Sequence, residues 1–232
     1  MPTNTATATD TLTATATQTA TLTITPTTPQ VATVTRNPFP HTDILDTFNR
    51  RIGGLRDNSH PWYGPEGLGG YSIRSNRVKA FGGGPIYWGS SSFGVNQEAY
   101  VTLTTVDRDA REQDLLLKVQ GGSKPDWRKG AIEVLYDARH NAVRVETFKP
   151  GNSRWMIYEN IPVTFNDSDQ LGAQVFANGE VWIYMNGERI AVVALNNADQ
   201  AFFNNKGGRI GLWFINADGA FFDDFGGGAF TP

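Results

Sequence analysis

Glu133 and Asp137 stand four residues apart in Ala131-Ile-Glu-Val-Leu-Tyr-Asp137, a run that reads as a β-strand. Residues of equal parity on a strand share a face, so both carboxylates point the same way. Two carboxylates on one face could hydrolyse an acetal, one as acid and one as nucleophile, if they stood about 5 Å apart. Here Leu135 occupies the alternate position between them, and no catalytic pair is expected. Asp223 and Asp224 are adjacent, so on a strand they point to opposite faces and form no dyad with each other. His41, His60 and His140 are isolated, without the H-x-x-x-H or H-E-x-x-H spacing of a metal site. Ser90-Ser91-Ser92 lacks the Gly-x-Ser-x-Gly setting of a nucleophile elbow. The triple glycines at 82–84 and 226–228 are not followed by Lys-Ser/Thr and open no helix, so they cradle no phosphate. With no cysteine, thiol nucleophiles, thiolate metal sites and disulfides are excluded. The chain is expected to be non-enzymatic.

Binding chemistry is better supplied. Six Trp and seven Tyr offer flat apolar faces for pyranose rings, with Asn, Asp, Gln and Arg to meet the hydroxyls. In the run Glu180–Leu195, the pair Asn186-Gly187 suits a two-residue hairpin turn with positive φ at both positions. Pairing around it sets Met185 against Glu188, Tyr184 against Arg189, Ile183 against Ile190, Trp182 against Ala191 and Val181 against Val192. One face is then Val181, Ile183, Ile190 and Val192, expected in the core. The other carries Trp182 and Tyr184 with Arg189 beside them, a candidate sugar platform. Trp155 shares a face with Ile157 and Glu159 on the strand after it. Trp62, Trp88 and Trp127 lie in Gly/Pro/Ser-rich loops, where binding residues often sit. Half or more of these rings are expected to serve as core or its cover.

These residues need a scaffold, and its pattern is legible from about Pro38 to Pro232. Short apolar runs broken by Gly, Asn and Asp recur every 8–12 residues or so, and nothing holds a helical period for three turns. The candidate strands are 71–81, 99–106, 114–120, 131–138, 142–148, 154–160, 170–177, 180–185, 188–195, 209–216 and 220–225. The class expected is an all-β, two-sheet antiparallel sandwich. The order of DTFNR (46–50), YSIRSNRVKAF (71–81), VWIYMNGERIAVV (181–193), RIGLWFIN (209–216) and AFFDDFGGG (220–228) resembles that of concanavalin A-like lectin/glucanase (laminin-G-like) domains, over about residues 43–230. The resemblance implies a jelly roll in which the first strand, near Asp46–Arg50, returns beside the last, near Phe221–Phe225. It further implies structural calcium near Asp223 and Asp224 with help from Asp46. The family's Glu-x-Asp-x-Glu motif is missing here. The long loop 61–70 is expected to cover the outer face of one sheet. Fold does not dictate function, and a glycan or polysaccharide is the partner expected. A glycoside hydrolase of this fold would need carboxylates converging from different strands.

Residues 1–37 have another texture. Thr fills every odd position from Thr3 to Thr27, with Ala and Pro prominent between. Such a segment buries little, which predicts an extended linker or an O-glycosylated stalk. The same two-residue period also suits a β-strand donated to a neighbouring copy, giving self-association and a filament, with Leu12, Leu22 and Ile24 as its anchors. Net charge of −3 offers no footprint for nucleic acid. No apolar run reaches the ~20 residues of a membrane span, and no basic, apolar leader follows Met1. The stalk texture places the chain outside the cell or at its surface. Asn166-Asp-Ser168 is a glycosylation sequon of the same setting.

Overall fold

A computed structural model describes residues 1–3, 39–89 and 92–232. The threonine period beyond Thr3, and with it the choice between stalk and donated strand, lies outside these. In chain order the strands are β1 (Ile44–Asp46), β2 (Ile52–Gly53), β3 (Trp62–Tyr63), β4 (Tyr71–Arg74), β5 (Arg77–Ala80), β6 (Pro85–Trp88), β7 (Gln97–Thr105) and β8 (Glu112–Val119). They continue as β9 (Ala131–Asp137), β10 (Ala142–Phe148), β11 (Met156–Pro162), β12 (Asp169–Val175), β13 (Glu180–Met185), β14 (Glu188–Ala194), β15 (Arg209–Ile215) and β16 (Phe221–Ala229). Among the described residues there is one short α-helix, α1 (Asn197–Phe203), capped by the Asn196 side chain, which accepts from the Ala198 and Asp199 amides.

Among the described residues the strands form two antiparallel sheets. One runs β14-β13-β12-β7-β16-β5-β4-β2, with β1 also on β16; the other runs β11-β10-β9-β8-β15-β6-β3. This is the expected two-sheet sandwich. The first described strand does return beside the last, with Ile44 opposite Gly226 and Asp46 opposite Phe225. Alternate residues of each strand fill the space between the sheets: Leu171, Ala173 and Val175 from β12, Ile132, Val134 and Tyr136 from β9, Ile210, Leu212 and Phe214 from β15. The residues between them in sequence point outward, and those two outer faces are where function can be built.

Three local readings need correction. YSIRSNRVKAF is not one strand but the β4–β5 hairpin, because Ser75 and Asn76 both take positive φ and reverse the chain. The hairpin at Asn186-Gly187 turns as expected, with φ of 53° and 81°, and keeps Tyr184 opposite Arg189. Beyond that pair a bulge leaves Ile190 without a partner and sets Ile183 against Ala191. One added residue inverts the parity of the rest of β14, so Val193 is buried and Val192 is 45% exposed. Finally, loop 61–70 is not loop throughout. It enters the seven-stranded sheet as β3, and over β7, β12 and β13 the outer face of the nine-stranded sheet is covered by the segment Phe39–Thr42.

That cover is fastened by polar bonds and by missing side chains. Buried Glu98 accepts from the His41 and Thr42 amides at 2.7 and 2.6 Å and from the Thr42 hydroxyl at 2.7 Å. Phe39 stacks on Tyr184 at 3.9 Å and lies directly over Gly172, where any Cβ would strike its ring. Gly226 likewise leaves room for the ring of Tyr100, whose hydroxyl donates to the Thr42 carbonyl.

Candidate functional site

The outer face of the nine-stranded sheet is closed where β7, β12 and β13 lie under Phe39–Thr42. Tyr184 is 6% exposed beneath Phe39, and its hydroxyl donates to Gln174 Oε1 at 2.6 Å. Trp182 has the Arg189 guanidinium 4.1 Å from its ring centroid and Phe176 packed against it, and its Nε1 donates to Glu180. Trp182, Tyr184 and Arg189 are thus brought together as expected, but as a packed set whose faces are taken by one another and by Phe39. Trp62 and Trp88, read as loop residues, lie in the core at 0% and 6% exposure with their rings edge to face.

The outer face of the seven-stranded sheet is different. Trp127, in a short 3-10 turn, stacks on Trp155 with centroids 5.3 Å apart and planes at 17°. Trp213 of β15 and Phe148 of β10 complete the cluster, at 5.4 and 4.9 Å from Trp127. All four rings keep part of their surface in solvent. Beside them a cleft of about 220 Å³ is lined by Tyr63, Tyr87, Glu66, Asp126, Arg128 and Lys129, among others. Arg128 spans it with a bidentate pair to Glu66 at 3.0 and 3.2 Å, tying the loop after β3 to the 3-10 turn. The Tyr87 hydroxyl accepts from the Trp127 amide at 3.2 Å, so the floor of the cleft and the indole cluster are one unit.

Acids converge on the same face from three strands. Asp114 lies opposite Trp213, Glu133 opposite Leu116, and Glu146 opposite Glu133. Asp114 is fully buried and Glu133 is 3% exposed. When both are ionised, neither oxygen of Asp114 and only one of Glu133's can find a donor or solvent among the described residues. Burial is the main reason both carboxyls titrate well above the ordinary range, and the neighbouring acids add to it. Glu133 and Asp137 do share this face, as read from the sequence. The true neighbour of Glu133, Asp114, comes from the adjacent strand. Parity within Glu112-Gln-Asp114 would have placed Glu112 and Asp114 on one face, but only strand pairing brings Asp114 to Glu133.

The residues named for calcium do not fit it. Asp46, 2% exposed, accepts from the Phe48 amide, two Arg50 nitrogens and Trp62 Nε1, all within 3.0 Å. Its oxygens are saturated by N–H donors, and it acts as the hub that fixes the first strand to the core. Asp223 and Asp224 remain partly exposed, with the Asp224 amide donating to Asp223. Among the described residues no group of three or more His, Cys, Asp or Glu could hold a metal ion.

No family model and no curated protein matches this sequence. Solved structures do match in fold. The chain is similar to alginate lyase Aly36B in complex with an alginate tetrasaccharide (10% identity, 82% of this chain and 98% of that one, TM-score 0.53). It is similar to a chain from work on endo-acting O-glycanases of the human gut microbiota (12%, 82% and 100%, TM-score 0.52). It is also similar to the exoplasmic/lumenal domain of VIP36 in its Ca²⁺-bound form (11%, 82% and 90%, TM-score 0.51). At such identities what is shared is the two-sheet antiparallel sandwich.

Proposed function

We propose that the chain is a non-enzymatic glycan-binding module, secreted or displayed at a cell surface on its threonine-rich stalk. Its sugar site would be the cleft and indole cluster on the outer face of the seven-stranded sheet. The observation that carries this reading is the junction of partly exposed Trp127, Trp155 and Trp213 with a cleft walled by Glu66, Asp126, Arg128 and Lys129. Ring faces hold the apolar side of a pyranose, and the charged rim meets its hydroxyls. Of the rings named from sequence, Trp127 and Trp155 belong to this site, while Trp62, Trp88 and Tyr184 serve the core and its cover. Asp114 and Glu133 are sealed from solvent, which favours binding over acid–base chemistry on a sugar.

A glycan array on the intact chain tests the reading, followed by titration of the best hit against Trp155→Ala and Tyr63→Ala. Each variant is expected to weaken binding about tenfold or more, near 1.4 kcal/mol. Wild-type silence across the array, or unchanged affinity in both variants, would sink it. A polysaccharide panel read for new reducing ends or unsaturated products checks the non-enzymatic part; turnover that survives repurification would overturn it. The stalk reading expects immediate amide exchange over residues 3–27, and protection appearing only on assembly would favour the donated strand.

A further inference from the structure

A second cavity, of about 310 Å³, opens where the segment before β7 meets the adjoining ends of β8 and β15. The described residues lining it carry two formal charges, Lys206 and Arg209, and no carboxylate. Arg209 is 9% exposed. Its Nε and Nη2 make only long contacts, 3.4 Å each, to the Gly122 carbonyl. Its Nη1 is buried without a hydrogen-bond partner among the described residues. Lys206 rests its ammonium 3.1 Å from the centroid of Phe202 and makes no ion pair among the described residues. Lys118, next in the chain to the lining residue Val119, is fully buried, and its ammonium donates to the Phe203 carbonyl at 3.0 Å. Asp126, the acid on the neighbouring loop, is engaged by the amide and guanidinium of Arg128.

A buried guanidinium with an idle N–H is costly unless something pairs with it. In a chain of net charge −3, two cations lining one cavity with no acid among the described lining residues are an arrangement to be explained. The planar fork of Arg matches two oxygens of a carboxylate or sulfate, and the ammonium of Lys206 supplies a third charged donor. Gly207, Gly208 and Gly122 keep the rim free of side chains, so an anion can approach the fork.

We propose that this cavity is an oxyanion site that takes one carboxylate or sulfate group through Arg209 and Lys206. The group can be a free inorganic anion or the acidic substituent of a saccharide. Only the saccharide source rests on the proposed glycan-binding role; the oxyanion assignment does not.

Thermal shift and calorimetric titration of the intact chain, at ionic strength matched with sodium chloride, test it. The probes are sodium sulfate, an oligogalacturonate and the neutral oligogalactose of equal length. Sulfate and oligogalacturonate are each expected to raise the melting temperature above the chloride control. Arg209→Met and Lys206→Met should each weaken the effect about tenfold or more, the scale of a charge-assisted hydrogen bond. Because Lys206 is only partly buried, its variant keeps the test valid should the Arg209 variant fold poorly. A response to the oligogalacturonate alone assigns the saccharide source, and a response to sulfate alone assigns a free anion. If neither anion exceeds chloride, or both variants respond like wild type, the proposal falls. Trp155→Ala leaves this cavity intact, so loss of neutral-glycan binding and loss of oxyanion binding are separable results.

Discussion

At the scale of single residues, the molecule's tension lies in its buried acids. Asp114 and Glu133 share a face with Glu112 and Glu146, and burial pushes all four carboxyls up. A carboxyl raised in the folded state holds its proton more tightly than the unfolded chain does, so stability falls as pH climbs from the ordinary carboxylate range through the raised value. Asp114→Asn removes one of these buried acids and offers Glu133 an amide donor. Its melting temperature is therefore expected to exceed wild type at pH 8 by roughly 2–4 °C for each kcal/mol recovered. At pH 4 the two proteins should melt alike. Differential scanning fluorimetry at both values decides; a variant less stable at pH 8 would show that Asp114 is ionised in the fold. Sequence parity alone made Glu133 and Asp137 neighbours on a face, and nothing in it could say that Asp114 stands nearer.

At the scale of elements, the segment Phe39–Thr42 behaves as a strap. It lies across β7, β12 and β13, held by Glu98 and by the stack of Phe39 on Tyr184. Phe39→Ala is expected to cost about 3 kcal/mol, the lower part of the range for a buried Phe, and to expose the Tyr100 and Tyr184 rings. Urea unfolding checks the energy and quenching of tyrosine fluorescence the exposure; a loss below about 0.5 kcal/mol would mean that the strap is not part of the cooperative fold. Gly172→Val should act in the same direction, since its Cβ occupies the place of the Phe39 ring. The hairpin at Asn186-Gly187 was legible because a two-residue turn fixes its first pairs. The bulge at Ile190 was not, because Ile190, Val192 and Val193 are all apolar and parity gives no local reason to skip one.

Across the whole molecule, two sets of carboxyls oppose each other. Asp223 is pushed up to about 6, chiefly by burial, and sides with the raised cluster. Asp199 is buried as well, yet hydrogen bonds from Lys149, Thr147 and Tyr158 outweigh the burial and hold it low. In Asp137 burial is likewise outweighed, by His140 and Arg139. A lowered carboxyl contributes stability above its unfolded value of 3.8 and loses it as pH falls below. The raised set removes stability as pH rises from there through about 6 and beyond. Chemical unfolding across pH 3 to 8.5 is therefore expected to peak in the mildly acidic range, near pH 4–5, and a maximum at pH 7 or above would contradict this balance. The sequence by itself determined the all-β class, the approximate strands and the absence of a linear catalytic motif. Each of those is written in local periodicity, turn residues or spacing along one strand. Tertiary structure alone decided which rings face solvent, that Asp46 is a hub for N–H donors, and that Asp114 and Glu133 meet. It also decided that Arg209 and Lys206 share a cavity with no acid. Those facts depend on pairing between strands distant in sequence and on which segment covers which face. Long-range pairing is chosen by the summed packing of both sheets, and no short stretch of residues encodes it.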